Sequence, residues 1–523
     1  MPSPRSPATP PRRGVLAGYA ALLALAALAA YHNTLRVPFL FDDATSIVDN
    51  PTIRHLGNLR EVLLPHAGYG LTVSGRPMLN LSLALCYALS GTRVWSYHAL
   101  NLLVHILAGL TLFGIVRRSL MGFGGAQSAS PAAPRPSPLL RRDAAPLAFV
   151  VALLWTLHPL QTEAVTYVIQ RTESLMALFF LLTLYCFIRA VSSPRPWSWR
   201  VLAVLACLGG VGTKEVAATA PLLVFLFDRT FVAGTFREAW RRRRGLHLCL
   251  AATWAPLAML VAGGGWNRGG TAGFNVGASA WGYWFTQFDA VVRYLKQAFW
   301  PHPLIFEYGT FWMNLRDAVP FALIVLPLLA ATIVALRRLP AAGFLGAWFF
   351  VVLAPTSLIP GTMQMIVEHR MYLPLAAVIA SVVIGLHMGL SRLSEPAADG
   401  HAAGDRFRAA LRGPLLPGLA MAVPLGLLTV QRNSLYRNDL AFWRQTVADS
   451  PASAKAQSAL GAQFYQRHRL RQSVRHYLIS VRLDPTRVST QYNLALAYAA
   501  LGRLPEAAAH YGDALRINPL FYP

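Results

Sequence analysis

Apolar stretches of about 20 residues recur along this chain, and that repetition decides the fold class before any motif is considered. The first is "GVLAGYAALLALAALAAY" at 14–31. A helix of that length crosses the hydrocarbon core of a bilayer, about 30 Å thick. Lipid offers no partner for a free peptide group, so a spanning segment has to bond its backbone internally. Only 13% of the 523 residues are charged, about half the share a soluble protein carries, and the mean hydropathy is +0.42. The chain therefore reads as all-α, a polytopic helical membrane protein.

Charge gives the topology. The net charge of +25 comes from 47 Lys+Arg against 22 Asp+Glu. A basic balance can signal nucleic acid, but here arginines gather in short loops between apolar runs, the pattern of loops kept on the cytoplasmic side. Nucleic acid is excluded as a partner on that ground. Lysine occurs only at Lys214, Lys296 and Lys455 while Ala and Arg abound, a bias that suggests a GC-rich bacterial genome. Cys86, Cys186, Cys207 and Cys249 are scattered singly, so neither a disulfide framework nor a zinc site is indicated.

With Arg5, Arg12 and Arg13 ahead of the first span, residues 1–13 form a cytoplasmic tail and residue 32 onward lies outside. "ALA" at 27–29 also reads as a signal-peptidase site, which would leave residue 32 on the same side. Further spans are expected near 97–116, 146–164, 172–190, 246–263, 318–336, 341–358, 372–390 and 414–431. Segment 201–227 has Arg-rich flanks on both ends, which requires an even number of crossings. Two short helices meeting at Lys214-Glu215 satisfy that rule. The aromatic-rich segment 279–300, with Asp289, Arg293 and Lys296 on one helix face, reads as interfacial within an external stretch 264–317. About eleven crossings result, and the tail falls outside.

That tail repeats. Pro451, Pro485 and Pro519 stand 34 residues apart, and Leu460, Phe464, Leu470 and Tyr477 recur as Leu494, Tyr498, Leu504 and Tyr511. This is the tetratricopeptide (TPR) period. Residues 452–485 and 486–519 are two repeats, and 438–451 matches the second helix of an incomplete one. The expected domains are 14–431 in the membrane and 438–523 as the TPR tail.

The topology places many polar residues outside: Asp42, Asp43, Arg76, His98, Asn101, His158, Gln161, Glu163, Arg171, Glu173, Lys214, Glu215, Glu368, His369 and Arg370. Ionisable groups near a bilayer are costly, so their convergence on one surface suggests an active-site cleft. Plainer readings stand beside this. Asp42-Asp43 also fits a helix cap and a solvated charge. Glu163, Arg171 and Glu173 also fit a salt-bridge network, and Lys214-Glu215 also fits a local ion pair. His98, Asn101 and His105 share a helix face, and interhelical hydrogen bonding suits them better than a metal.

Several stretches together resemble a known family: "FLFDDATSIVDNP", "GRPMLNLSLALCYALSG", "YHALNLLVH", "HPLQTEAVTYVIQRTESLMALFFLLTLY", "GTKEVAATAPLLVFLFD" and "PTSLIP…EHRMYLP", followed by TPRs. Their order is similar to the transmembrane and TPR repeat-containing protein O-mannosyltransferases and their bacterial relatives, within the GT-C class of polyprenyl-phosphate-sugar-dependent glycosyltransferases. The resemblance covers about 31–390 plus the repeats. It implies a multi-pass protein, in a bacterium of the inner membrane, with an extracytoplasmic active site. It makes Asp42 the catalytic base, with Asp43 as supporting neighbour. The family's other elements fall on His158, Glu163, Arg171 and Glu173, on Lys214-Glu215, and on Glu368 and Arg370.

The chemistry is consistent with those residue types. No nucleotide sugar is available outside the cytoplasm, so the donor would be a sugar on a polyprenyl or dolichyl phosphate. A carboxylate serves as general base for a hydroxyl attacking the anomeric carbon, and Arg171, Lys214 and Arg370 would stabilise the leaving phosphate. Arg76, His158, Glu163, Glu173, Glu215 and Glu368 complete the candidate donor site. The sequence fixes no metal site and leaves open a need for a divalent ion. A Ser/Thr hydroxyl of a protein recruited by the TPRs is the expected acceptor. A lipid or envelope-glycan acceptor and a non-catalytic TPR scaffold are the rivals. A transporter would show repeated halves and mid-membrane charges, and neither pattern is found.

Overall fold

The computed structural model describes residues 13–64, 72–123, 135–263, 272–274, 279–362, 364–392 and 413–520. The expected N-terminal tail up to residue 12, parts of the external stretch after 263, and the Arg-rich loop at 393–412 lie outside them. Among the described residues the protein is all-α, and pairing between extended segments is limited to one isolated bridge, Ala272 with Gly361.

Nine helices among the described residues are long and apolar enough to cross a membrane. A tenth is reached if Ala144–Leu157 and Pro159–Thr166, bent by 56°, count as one span. The expected eleventh, Pro196–Val211, has only 16 residues and is short for a full crossing. Eleven crossings is thus a count that only a short helix could complete. The paired short helices expected within 201–227 do form, as Pro196–Val211 and Ala220–Phe227, broken at Gly212–Lys214. The aromatic segment folds as Ala280–Phe299 and is not among the candidate spans.

Ala144–Leu157 is the axis of the bundle, with nearly every residue buried. Around it pack Arg13–Tyr31, Val94–Met121, Leu375–Arg392 and Leu415–Leu435. Leu315–Arg338 is the opposite case: Leu323, Ile324, Leu326, Ile333 and Val334 are all exposed on it. An apolar helix that shows its side chains outward is suited to lipid rather than water.

Two sequence features bend the chain where the polar residues sit. Pro159 disfavours helical backbone at the preceding residue, and His158 is extended at φ −71°, ψ 132°. Its Nδ1 accepts the Leu160 N–H at 3.2 Å, capping the turn that carries Glu163. At the second break, the Gly212 carbonyl accepts from Met78 N–H at 3.0 Å. A Cβ on Gly212 would meet the Met78 side chain at 3.1 Å, a tight contact that glycine avoids. Lys214 follows in extended backbone and points back into the protein, 7% exposed.

The tail forms Asp439–Asp449, then two hairpins, Ala454–Gln466 with Leu470–Leu483 and Val488–Ala500 with Leu504–Ile517. The repeat reproduces its contacts. His476 bonds Gln457 at 2.9 Å and stacks on Phe464, and His510 does the same with Gln491 and Tyr498. The two halves of the tail have different cores. Phe442, Trp443, Ala456, Leu460 and Phe464 join one cluster with Leu40, Ile47, Tyr167 and Phe306, whereas Val474, Tyr477, Leu494 and Tyr498 form a small cluster of their own.

Candidate active site

The structure separates the two adjacent aspartates. Asp43 is buried, and both carboxylate oxygens accept backbone N–H groups, Oδ2 from Leu40 at 2.9 Å and Oδ1 from Ile169 at 2.8 Å. It ties the first loop to the turn before Arg171. Burial pushes its carboxyl up to about 8, against the pull of those two donors. Asp42 is only half-buried. Its N–H donates to the Tyr167 hydroxyl at 2.9 Å, and Tyr167 also bonds its side chain. Burial raises the Asp42 pKa, the Lys455 charge and Tyr167 lower it, and Glu307 raises it.

Phe41, immediately before Asp42, has φ +49°. A bulky residue in left-handed backbone costs about 1–3 kcal/mol and persists only where its surroundings enforce it. Trp443 and Phe306 meet its ring at 5.8 and 6.5 Å, and Lys455 Nζ sits 4.3 Å from its centroid. Lys455 also pairs with Glu307 at 3.0 Å.

A second group of charges is linked end to end. Lys214 bonds Glu173, and Glu173 lies 3.8 Å from His369 Nε2. His369 Nδ1 donates to Glu163 Oε1 at 2.7 Å, and its backbone N–H donates to Glu163 Oε2 at 3.1 Å. Burial lowers the His369 pKa to about 3, so its imidazole is neutral. Burial likewise lowers Lys214, while Glu173 pulls it back up. Arg76 pairs with Glu215 at 3.3 Å on the flank. Glu368 Oε1 accepts from Ile305 N–H at 2.5 Å, Tyr308 at 3.1 Å and Gln297 at 3.2 Å, with Arg432 at 4.0 Å from its other oxygen. Burial raises Glu368 to about 8.

Three further expected participants are held by bonds of their own. Arg171 is fully buried and donates to Asn101 (2.5 Å), Tyr97 O (2.8 Å) and Ser82 (3.1 Å). Those partners hold helix ends together and engage most of the guanidinium's donors. His158 Nε2 faces Ala298 O at 3.2 Å and acts with its capping bond as a joint. Arg370 donates to Gln364 O at 2.7 Å and Met365 O at 3.0 Å, yet it still lines a small cavity with Glu173, Met176, Val216, Val352, Thr356 and Leu373. His98, Asn101 and His105 hydrogen-bond Val37 O, Val165 O and Tyr372 between helices. Among the described residues no group of three or more His, Cys, Asp or Glu is arranged to hold a metal ion.

Sequence reasoning missed Tyr167, Glu307, Arg432 and Lys455. Only Lys455 left a signal: it is one of three lysines in an arginine-rich chain. The others sit beside Asp42 or Glu368 through folding alone.

Fold and site together define a polytopic helical membrane protein with a short TPR tail and a charged cluster at one end of its helices. The tetratricopeptide repeat model matches residues 488–521. Protein O-mannosyl-transferase TMTC2 of Mus musculus is 32% identical over 238 residues, 41% of this chain and 25% of that one. TMTC1 of the same species is 32% identical over 195 residues, 36% and 18% of the two chains. Tmtc3 of Drosophila melanogaster is 30% identical over 241 residues, 43% and 25%. The chain matches at most about a quarter of the length of these relatives. Among solved structures, ArnT from Cupriavidus metallidurans bound to undecaprenyl phosphate aligns over 85% of this chain and 81% of its own, with TM-score 0.43 and 14% identity. The Archaeoglobus fulgidus oligosaccharyltransferase aligns over 80% and 53%, with TM-score 0.41 and 13% identity. Both likenesses are loose. On sequence, about two fifths of the chain is similar to proteins named TMTC-type protein O-mannosyl-transferases.

Proposed function

We propose that this protein is an integral-membrane glycosyltransferase of the protein O-mannosyltransferase kind, with Asp42 as its general base. The observation that carries the reading is the division of the outer charges. Asp42 is only partly buried beside a tyrosine hydroxyl and a lysine, whereas Asp43, Glu163, Glu173 and His369 are buried in bonds to neighbours. The sequence relatives, named O-mannosyl-transferases, support the same activity.

In the proposed reaction a Ser/Thr hydroxyl of an extracytoplasmic protein attacks the anomeric carbon of a sugar, mannose by resemblance, carried on a polyprenyl phosphate. Asp42 takes the hydroxyl proton as the new C–O bond forms. The bond from the sugar to the phosphate oxygen breaks, and the polyprenyl phosphate leaves with that electron pair. Attack opposite the leaving group inverts the anomeric carbon. Arg370 and the Lys214–Glu173 pair, at the cavity, are the side chains proposed to meet the donor headgroup. The membrane domain would span 14–431 and the tail 438–523, in a bacterial inner membrane with the Asp42 face outside.

Purified protein and its Asp42→Asn variant, given labelled polyprenyl-phosphate sugars and peptide, test this. Transfer should fall by about 10²–10⁴-fold with folding intact. Unchanged transfer removes Asp42 as base. Product on lipid or glycan alone changes the acceptor class, and no transfer by wild type from any donor favours a scaffold.

A further inference from the structure

The tail was expected to recruit an acceptor, which would place its working surface away from the chemistry. Its first helices do not sit apart. Trp443, from Asp439–Asp449, and Lys455, from Ala454–Gln466, both touch the ring of Phe41, the residue before Asp42. Phe306 closes a third side, and Phe41 has left-handed backbone at φ +49°. Without such neighbours a phenylalanine relaxes out of that conformation. The peptide unit it governs is the one whose N–H meets the Tyr167 hydroxyl at 2.9 Å and from which the Asp42 side chain departs. Lys455 contributes twice, over the ring and through Glu307 at 3.0 Å.

We propose that the first tail helices are part of the catalytic site: Trp443 and Lys455 are positioning residues that hold Phe41 in its left-handed turn and so aim Asp42 at the acceptor hydroxyl. The distal hairpin, with its separate core, takes no part in this. The inference rests on the glycosyltransferase reading of Asp42.

The groups facing Asp42 are Lys455, Tyr167, Glu307 and Asp43. Lys455 is the cation among them, so removing it should move the acid limb of the rate profile to higher pH. Misplacing a reacting group by an ångström costs about 10²-fold. In the full-length protein, Trp443→Ala and Lys455→Met should each lower kcat by about 10–100-fold with acceptor KM within about twofold. Trp443→Phe and Lys455→Arg should restore most of it, and Tyr511→Ala in the distal repeat should leave kcat unchanged. A rise in acceptor KM alone, or no change while Asp42→Asn abolishes transfer, overturns the proposal. If wild type transfers no sugar, the glycosyltransferase reading fails by itself, and amide exchange at residues 40–44 then decides the clamp. Faster exchange in Trp443→Ala but not in Tyr511→Ala supports it, and equal exchange in both overturns it.

Discussion

Two sets of charges share one end of this bundle and are built in opposite ways. Glu163, His369, Glu173 and Lys214 form a closed series in which each member meets its neighbour and all are buried. Asp42, Glu307 and Lys455 meet at a corner drawn from three distant parts of the chain, and Asp42 keeps part of its surface open. A buried charge is tolerable only when paired. The closed series therefore answers the cost of placing polar helix ends against each other. The open corner keeps a carboxylate that can still accept a proton. Charge density alone does not distinguish the two, but the number of bonds already made does.

Breaking the closed series should give the largest effect on stability. Glu173→Gln leaves Lys214 buried without its counter-charge, and removing one partner of such a pair costs about 3–5 kcal/mol. Glu307→Gln at the open corner also removes a buried carboxylate, but the Lys455 it leaves is only partly buried and can turn to water, so the cost should be smaller than at Glu173. Denaturant or thermal unfolding in detergent compares them directly. The double variant Glu173→Gln/Lys214→Met should recover much of the loss, because it removes the stranded cation. Equal effects at the two sites would erase the contrast.

The aspartate pair sharpens the same contrast at smaller magnitude. Asp43→Asn keeps one acceptor and turns an NH₂ toward a backbone N–H, leaving a buried donor unmet for about 1–3 kcal/mol. Its transfer activity should fall only as far as the folded fraction does. Asp42→Asn loses no backbone bond from its side chain, so its melting temperature should stay near wild type while transfer disappears. Measuring both quantities on both variants separates the staple from the base. A stable Asp43→Asn with no activity would move the base to Asp43.

Much of this was legible in the sequence, for physical reasons. Lipid forces apolar length, so the spans show as runs; repeat packing forces a 34-residue period, so the hairpins at 454–483 and 488–517 show as well. The Gly212–Lys214 break follows from arginines on both flanks. What stayed hidden depends on which bonds a side chain has already made. Arg171 and Arg370 look alike in sequence, yet Arg171 is enclosed by Ser82, Tyr97 and Asn101 while Arg370 reaches a cavity. Glu307 and Lys455 are 148 residues apart and come together only because the tail's first helices share a core with the first loop.

A pH slope in stability is the last predicted effect, and the buried carboxyls of Glu368 and Asp43 contribute to it. Burial holds the Glu368 carboxyl at about 8, from 4.5 in an open chain, and Asp43 at about 8, from 3.8. Between those values the folded protein keeps protons that the unfolded chain has released, so stability falls as pH rises. The contribution is fully present below about 4 and is lost as pH passes through 8. Melting temperature in detergent should therefore decline from pH 5.5 to 8.5, and Glu368→Gln, a permanent neutral mimic, should flatten part of that slope. Asp42→Asn should remove the acid limb of the rate while leaving most of the melting slope in place. A melting temperature that instead rises over this range would mean that the donors to Glu368, together with Arg432 at 4.0 Å, outweigh its burial. The sealed set would then be ionised throughout, held by its pairs rather than by its protons.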